Sequence, residues 1–351
     1  MRIAIIAHGL SNGGAERVSS LVANYYVNSG HDVLFVAVYS SKREYYLEKT
    51  VQYVYVGGNY EGRIIRLIGR SHRIHQEVMR FKADVAVSFV INETLYSTLE
   101  GTVPYVYALR NDPNSICSSP VMKLFSNLAF SRARKVIFQT PEARDFFGKQ
   151  IREKGVIIAN PLTRDLPYWN PDYCDKTVIT ACRLNTQKNL PMLIRGFAEF
   201  HKEYREYTLN IYGSGELLNR LRAYAKDCGV EDCVFFRGHV ENIHEIMAGS
   251  GIFALTSDYE GLSNSMLEAL AIGIPTVCTD CSPGGAALYI EDGVNGMLVP
   301  VGDAEALTER LCQLAGDPAL CRKMSENSQK IREKLDVDEI LEKWEEVLQL
   351  G

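Results

Sequence analysis

The sequence predicts an α/β protein built as two doubly wound, Rossmann-like domains facing each other across a cleft. Three observations predict it: the length of 351 residues, a repeated alternation of short β-rich runs with longer helical patterns, and a proline-rich break near the middle. A chain of this length exceeds one ordinary core and suits two domains of similar size. Apolar residues make up 46% and charged residues 23%, the usual balance of a soluble globular protein.

In the first half, Ile3–Ala7, Val33–Val38, Val51–Val56, Val85–Val90, Val103–Ala108, Val136–Gln139 and Val156–Ile158 are near-continuous apolar runs, the pattern of strands buried on both faces. Helical patterns at Ala15–Asn28, Arg63–Phe81 and Ala143–Gln150 lie between several of them. This βα alternation implies a mainly parallel sheet with helices on both faces. The segment from Asn160 to Pro171 carries three prolines, has no period and reads as a linker. A second βα series follows, with strands at Thr177–Ala181, Thr208–Tyr212, Val234–Phe236, Ile252–Leu255, Thr276–Cys278 and Met297–Val299. The expected division is 1–165, 166–335 and a terminal helical segment 336–351. In open α/β sheets ligands bind beyond the carboxyl ends of the strands, so the functional residues are sought there.

The net charge of −5 hides an asymmetry. Residues 1–165 hold 21 Lys and Arg against 14 Asp and Glu, a net of +7, whereas 166–351 hold 17 against 29, a net of −12. Much of the excess lies in Arg63, Arg66, Arg70, Arg73, Arg80 and Lys82, interleaved with Ile64, Ile65, Leu67, Ile68 and Ile74. At helical spacing this is a basic amphipathic segment, which suits an anionic membrane surface as well as a solvated face. No run of 18 apolar residues occurs, and the opening MRIAIIAHGL has no basic leader, so it reads as a buried strand rather than a signal peptide. Nine scattered cysteines suit reduced thiols in a cytoplasmic protein. Cys278-x-x-Cys281 has no second pair to complete a zinc site and reads as buried thiols.

Four stretches at expected strand ends carry chemistry. Glu260-Gly-Leu-Ser-Asn-Ser-Met-Leu-Glu268 follows Ile252–Leu255. Glu260 and Gly261 fall in the loop, Ser263 or Asn264 caps the next helix, and the loop N–H groups of Gly261, Leu262, Ser263 and Asn264 make a seat for a diphosphate. Glu268, about one turn in, is placed to accept from a ribose diol. Arg183-Leu-Asn-Thr-Gln-Lys188 follows Thr177–Ala181, and its two cations can straddle a pyrophosphate and neutralise charge on a departing diphosphate. Gly13-Gly14 after the first strand, and Gly213-Ser-Gly215 after Thr208–Tyr212, let backbone approach a ligand. Gly238-His-Val240 offers backbone groups to a nucleobase edge. Neither a GxGxxG fingerprint nor a GxxxxGK[ST] loop is present, which argues against an NAD-dependent dehydrogenase and a P-loop NTPase.

Taken in order, Gly13-Gly14, Arg183 with Lys188, the Gly213 turn, Gly238-His-Val240 and Glu260-x7-Glu268 resemble family 4 of the retaining glycosyltransferases, over nearly the whole chain. The resemblance implies the GT-B fold, with the last helix, around Ile340–Leu350, crossing back to the first domain. It implies that Arg183 and Lys188 hold the donor diphosphate, that Glu268 binds the ribose, and that Glu260 lies near the transferred sugar. The Gly-Gly-Ala-Glu-Arg, Leu-Arg-Asn-Asp-Pro and Glu-Gly-Leu-Ser-Asn-Ser runs are similar to bacterial enzymes that build capsule, O-antigen or glycan precursors, many of them from UDP-N-acetylhexosamines. Where many members carry a histidine after a first-domain strand, this sequence has Leu109-Arg110-Asn111-Asp112, so Arg110 or Asn111 stands in its place.

The expected function is therefore metal-independent, retaining transfer of a sugar from a UDP-sugar to a saccharide acceptor carried on polyprenyl diphosphate. Catalysis would use Arg183, Lys188 and Glu260, with Gly13-Gly14 closing over the diphosphate. The only Asp-x-Asp triplet, Asp336-Val-Asp338, precedes the last helix and reads as its cap rather than a metal site. No cofactor is expected. A sugar-nucleotide epimerase of the same two-domain architecture is the alternative, and a non-catalytic partner of a glycosyltransferase is another. The expected location is cytoplasmic, peripheral on the inner face of the membrane through 63–82.

Overall fold

The computed structural model describes every residue except Asn12, 59–61, 350 and 351, and the side chains of Arg63 and Ile64 also lie outside the description. One position of the Ser11–Arg17 turn and the last residue of the expected terminal helix therefore fall outside it.

The apolar runs form strands that are buried on both faces. In β1 (Arg2–Ala7) the side chains from Ile3 to Ala7 are all buried, as a strand inside a parallel sheet requires. β2 (Asp32–Ala37) and β4 (Val85–Ser88) flank it, with Ile3 opposite Val33 on one side and Val85 on the other. β3 (Gln52–Tyr55), β5 (Tyr105–Ala108), β6 (Lys135–Phe138) and β7 (Gly155–Ile157) complete a seven-stranded parallel sheet in the order β3-β2-β1-β4-β5-β6-β7. A second parallel sheet holds β8 (Asp175–Ala181), β9 (Thr208–Tyr212), β10 (Val234–Gly238), β11 (Ser250–Leu255), β12 (Thr276–Thr279) and β13 (Met297–Val299), in the order β10-β9-β8-β11-β12-β13. Both orders follow the doubly wound 3-2-1-4-5-6 pattern, so the chain forms two Rossmann-like units. Each strand expected from the sequence is present, with ends displaced by at most a few residues.

The units comprise Met1–Pro161 with Val337–Gly351, and Leu162–Asp336. The helix Val337–Gln349 is thus part of the first unit. Its Trp344 is fully buried, stacks on Phe89 with centroids 5.7 Å apart, and accepts at its carbonyl from Tyr26 Oη at 3.1 Å. His31 Nε2 meets Glu345 Oε1 at 2.9 Å, and Arg134 donates to the Leu348 carbonyl at 2.9 Å.

Two sequence expectations change in detail. Ala143–Gln150 is not one helix: the chain forms Pro141–Asp145 and Lys149–Glu153, with a break between them. The break lets Phe147 turn inward, where its ring lies 5.1 Å from Phe130 and 5.6 Å from Phe138. The segment 160–171 lacks helix and strand, as a linker should, yet most of it is fixed to the second unit. Leu162 N donates to the Leu335 carbonyl and Trp169 N to that of Ile272. Trp169 Nε1 donates to the Ser250 carbonyl at 2.9 Å, while Arg332 donates to the carbonyls of Leu166 and Pro167 and lies 3.8 Å over the Tyr168 ring.

Because Trp344 fills a closed site in the first unit, Trp344→Ala should cost about 3–5 kcal/mol. Urea unfolding followed in the first unit measures this; a loss under about 1 kcal/mol would show that the helix contributes little to that core.

Candidate active site

In a doubly wound sheet the strand order reverses between the first and fourth strands, and the loops leaving those two strands open a crevice. In the second unit these are β8 and β11. The loop after β8 carries Arg183 and Lys188, and the loop after β11 carries Glu260. The topology therefore brings together two motifs more than seventy positions apart.

Lys188 ends a 3₁₀ turn, Thr186–Lys188, and is buried. Asn189 follows in the left-handed region at φ 40°, with its Oδ1 accepting from Met192 N to cap the helix Leu190–Glu203. The same side chain donates from Nδ2 to Asp258 Oδ1 at 2.6 Å, and Thr256 Oγ1 donates to the Lys188 carbonyl at 3.1 Å. The two loops are thus tied by backbone and side chain before any charge is counted. Between them Lys188 Nζ forms an ion pair with Glu260 Oε1. Ser257 Oγ donates to the same oxygen at 2.8 Å, and Gln187 Nε2 reaches the Tyr259 carbonyl at 2.9 Å and Glu260 Oε2 at 3.4 Å. Thr279 Oγ1 fixes the Ser257 carbonyl at 2.6 Å. A mostly buried carboxylate with three donors is held in one orientation.

Arg183 is exposed on the same loop, its carbonyl accepting from Asn185 N, and its side chain makes no hydrogen bond or ion pair with the described residues. It belongs to the same electrostatic neighbourhood: burial raises the Cys182 thiol pKa, Lys188 and Arg183 lower it, and Glu260 raises it. Gly261, Leu262 and Ser263 are buried and lead into the helix Asn264–Ile272. Ser263, not Asn264, is its N-cap, accepting from Met266 N. The positive end of the helix dipole thus starts one residue beyond the Glu260 loop.

Gly213 requires glycine. Its φ is +126°, and a Cβ there would lie 1.9 Å from the Cys182 carbonyl oxygen. Gly213 N donates to the Gly238 carbonyl at 2.7 Å, which draws the ends of β8, β9 and β10 together. Val240 is half-buried just beyond Gly238. Four residues further, His244 Nε2 lies 3.1 Å from Glu268 Oε2. The other Glu268 oxygen accepts from Thr163 Oγ1 at 2.9 Å. The helix Ile243–Ala248, which follows Val240, is therefore joined to Glu268, and the Glu268 carboxylate is held from both sides.

The remaining expected residues lie in the first unit. Gly13 is the N-cap of the helix Gly14–Asn28 after β1, without a side-chain cap. Arg110, after β5, is turned into its own unit: it donates to the Ile158 carbonyl at 3.2 Å and Asn160 Oδ1 at 2.8 Å, and lies 5.4 Å from the Trp344 ring. Burial lowers its pKa to about 9. Asn111 Oδ1 accepts from Asp112 N.

A small pocket beside Glu260 is lined by Ser257, Gly261, Ser263, Cys278, Thr279 and Cys281. Burial raises both thiols, Cys281 to about 12 and Cys278 further. Among the described residues no group of three His, Cys, Asp or Glu is placed to hold a metal ion.

Sequence reasoning missed Gln187, Ser257, His244 and Thr163. The first two sit inside or beside the motifs already singled out, three residues or fewer from a charged partner. His244 carries no local signal except its distance of four from Val240, and Thr163 lies 105 positions from Glu268.

Residues 169–331 match the family described as glycosyl transferases group 1. Those residues, nearly all of the second unit, carry the group 1 glycosyltransferase domain. An uncharacterized glycosyltransferase of Haemophilus influenzae is 26% identical to it over 96% of this chain and 97% of its own. An N-acetylgalactosaminyltransferase of Campylobacter jejuni, named for an acceptor on diphospho-undecaprenol, is 34% identical over 46% of this chain and 42% of its own. Apart from the Haemophilus protein, the curated relatives are matched over 18–58% of their own length. The glycosyltransferase also superposes on Anabaena HepE, solved with UDP-glucose, at a TM-score of 0.82 with 20% identity, covering 99% of each chain. That likeness, with the two sheet orders, gives the GT-B fold.

Lys188→Met leaves Glu260 without its cation in a mostly buried site and should cost about 3–5 kcal/mol. Thermal unfolding in the absence of ligand checks this, and an unchanged midpoint would show the pair to be energetically silent. Cys278 and Cys281 should resist Ellman's reagent at pH 8 in the native enzyme and react on denaturation, since the thiolate is the reactive form. Rapid native labelling at either position, located by mass spectrometry, would contradict their burial.

Proposed function

We propose that this glycosyltransferase moves a hexose or N-acetylhexosamine from a UDP-sugar to a saccharide acceptor carried on polyprenyl diphosphate. Transfer proceeds with retention and without a metal ion, in the building of capsule, O-antigen or related glycans at the cytoplasmic face of the membrane. The observation that carries this is the Lys188–Glu260 pair, held at the switch point of the second sheet on the same loop as Arg183.

The chemistry follows from what each group can offer. Breaking the sugar–diphosphate bond leaves negative charge on the β-phosphate oxygen, and fixed cations lower the barrier by being in place before that charge develops. An ammonium has three donors, and Glu260 engages one in Lys188, so two remain for phosphate oxygens. Arg183, exposed and unpaired, supplies a planar fork matched to phosphate. The backbone from Gly261 to Asn264 and the helix beyond add N–H groups and a positive dipole end. Glu260, pinned by Lys188, Ser257 and Gln187, acts as an electrostatic and positioning group beside the sugar, and the acceptor hydroxyl gives its proton to the departing phosphate. Glu268, held by His244 and Thr163, receives the ribose hydroxyls, with Val240 at the base.

The name of the Campylobacter relative, which specifies a diphospho-undecaprenol acceptor, supports an acceptor on a polyprenyl diphosphate, and the UDP-glucose held by HepE supports the donor class. A thermal-shift screen across nucleoside diphosphate sugars, followed by transfer assays with the stabilising donor, tests it; ligand binding to the native state raises the midpoint. Stabilisation by no UDP-sugar would sink the donor assignment. Isomerisation of a UDP-sugar with no acceptor present would establish the epimerase instead.

Three outcomes follow. Arg183→Ala should lower kcat by about 10²–10³-fold with the fold intact, as when one oxyanion donor is removed; near-normal turnover would refute its role at the leaving group. Activity should persist in EDTA, and loss on chelation with recovery in manganese would overturn the metal-free mechanism. His244→Ala should raise the donor KM about tenfold, equivalent to one hydrogen bond to a charged group, with little change in kcat. A selective fall in kcat would assign His244 elsewhere.

A further inference from the structure

The basic helix Arg63–Phe81 does not stand alone. It packs against the helix Leu95–Glu100, which packs in turn against Pro120–Arg132. All three leave large apolar side chains in solvent: Ile65, Ile68 and Met79 on the first, Tyr96 and Leu99 on the second, Val121, Leu124 and Leu128 on the third. Ile68 is 63% exposed, Tyr96 51% and Val121 58%, which is far from the burial such side chains normally find. Side-chain contacts join the first two helices, and the third adjoins them through Leu95–Glu100. His75, seven residues from Ile68 and so on the same helix face, meets the Tyr96 ring at 5.4 Å and Glu100 at 3.0 Å. Thr102, just after the second helix, reaches Met79 Sδ at 3.5 Å. Val121, Leu124 and Leu128, at spacings of three and four, make a single stripe on the third helix.

Charge selects the partner. Arg66, Arg73, Arg80 and Lys82 are exposed on and just after the first helix, and Lys123 and Arg132 on the third. Against these six cations the three helices carry two acids, Glu77 and Glu100, and the third helix carries none. A protein groove would need matching acids and a closed rim, whereas an anionic bilayer takes scattered apolar side chains into its interface and cations at its surface. We propose that Arg63–Phe81, Leu95–Glu100 and Pro120–Arg132 form a single face that docks the enzyme on anionic lipid, inserting Ile65, Ile68, Tyr96, Val121 and Leu124 between headgroups. The inference rests in part on the membrane-borne acceptor proposed above. It extends that reading by giving the contact to three helices where the sequence pointed to one amphipathic segment.

Cosedimentation of the full chain with vesicles tests it, using phosphatidylcholine alone and an equimolar mixture with phosphatidylglycerol. The expected result is binding to the mixed vesicles only. Leu124→Glu or Ile68→Glu should reduce it at least tenfold, at unchanged thermal midpoint and with unchanged transfer to a water-soluble acceptor. Lys123→Glu, on a helix with no acid of its own, should also reduce it, and added salt should weaken binding by the wild type. Absence of wild-type binding, or equal binding by Leu124→Glu, would overturn the proposal. So would a concentration-dependent dimer abolished by Leu124→Glu in a protein that ignores vesicles, which would make the face a self-association surface. Failure of transfer to the soluble acceptor by the wild type would instead count against the proposed reaction, since vesicle binding is read independently of turnover.

Discussion

The ion pair between Lys188 and Glu260 is the constraint on which the second unit's site depends. A charge removed from water is tolerated only when it is paired and its remaining lone pairs are engaged. Here the pairing fixes two loops at once, because the lysine leaves β8 and the carboxylate leaves β11. Bonds from Ser257, Gln187, Asn189 and Thr256 surround the pair. Together they leave the pair one geometry. Under the proposed function, desolvation of these two charges falls where the donor's diphosphate charge would be met, and a field already in place would need no rearrangement.

Beyond this pair the second unit is organised by close backbone approach. Gly213 puts the end of β9 against the Cys182 carbonyl, and Gly238 closes the next turn through a backbone bond. The helix that follows Val240 is then joined to Glu268 through His244. The segment after Pro161 acts as part of this unit. Trp169 and the Arg332 guanidinium hold it, and Thr163, at its start, reaches Glu268. A stretch that sequence composition marks as a connector therefore contributes a hydrogen bond to the candidate site.

The fold was legible because parallel strands buried on both faces leave long apolar runs, and β1, β8 and β11 are such runs. The motif residues Arg183, Lys188, Glu260 and Ser263 were legible because each lies within a few positions of a strand end and belongs to a residue type with one obvious use. What the sequence hid was contact across large separations. Nothing near Thr163 or His244 announces Glu268, and nothing near His75 announces Tyr96, since tertiary packing alone joins them. The broken helix at Phe146–Gly148 was hidden for a related reason. A helical pattern continued through it, but the core offered Phe147 a better place than the helix did.

The assignment of the helix Val337–Gln349 to the first unit separates the order of synthesis from the order of completion. Every residue of Leu162–Asp336 is translated before Trp344, so the second unit has its whole chain while the first still lacks the ring that lies against Phe89. Domains that fold during synthesis usually do so from the amino end. In this enzyme the first unit to begin is the last to be finished, and Phe89 and Tyr26 remain uncovered for as long as the second unit takes to emerge.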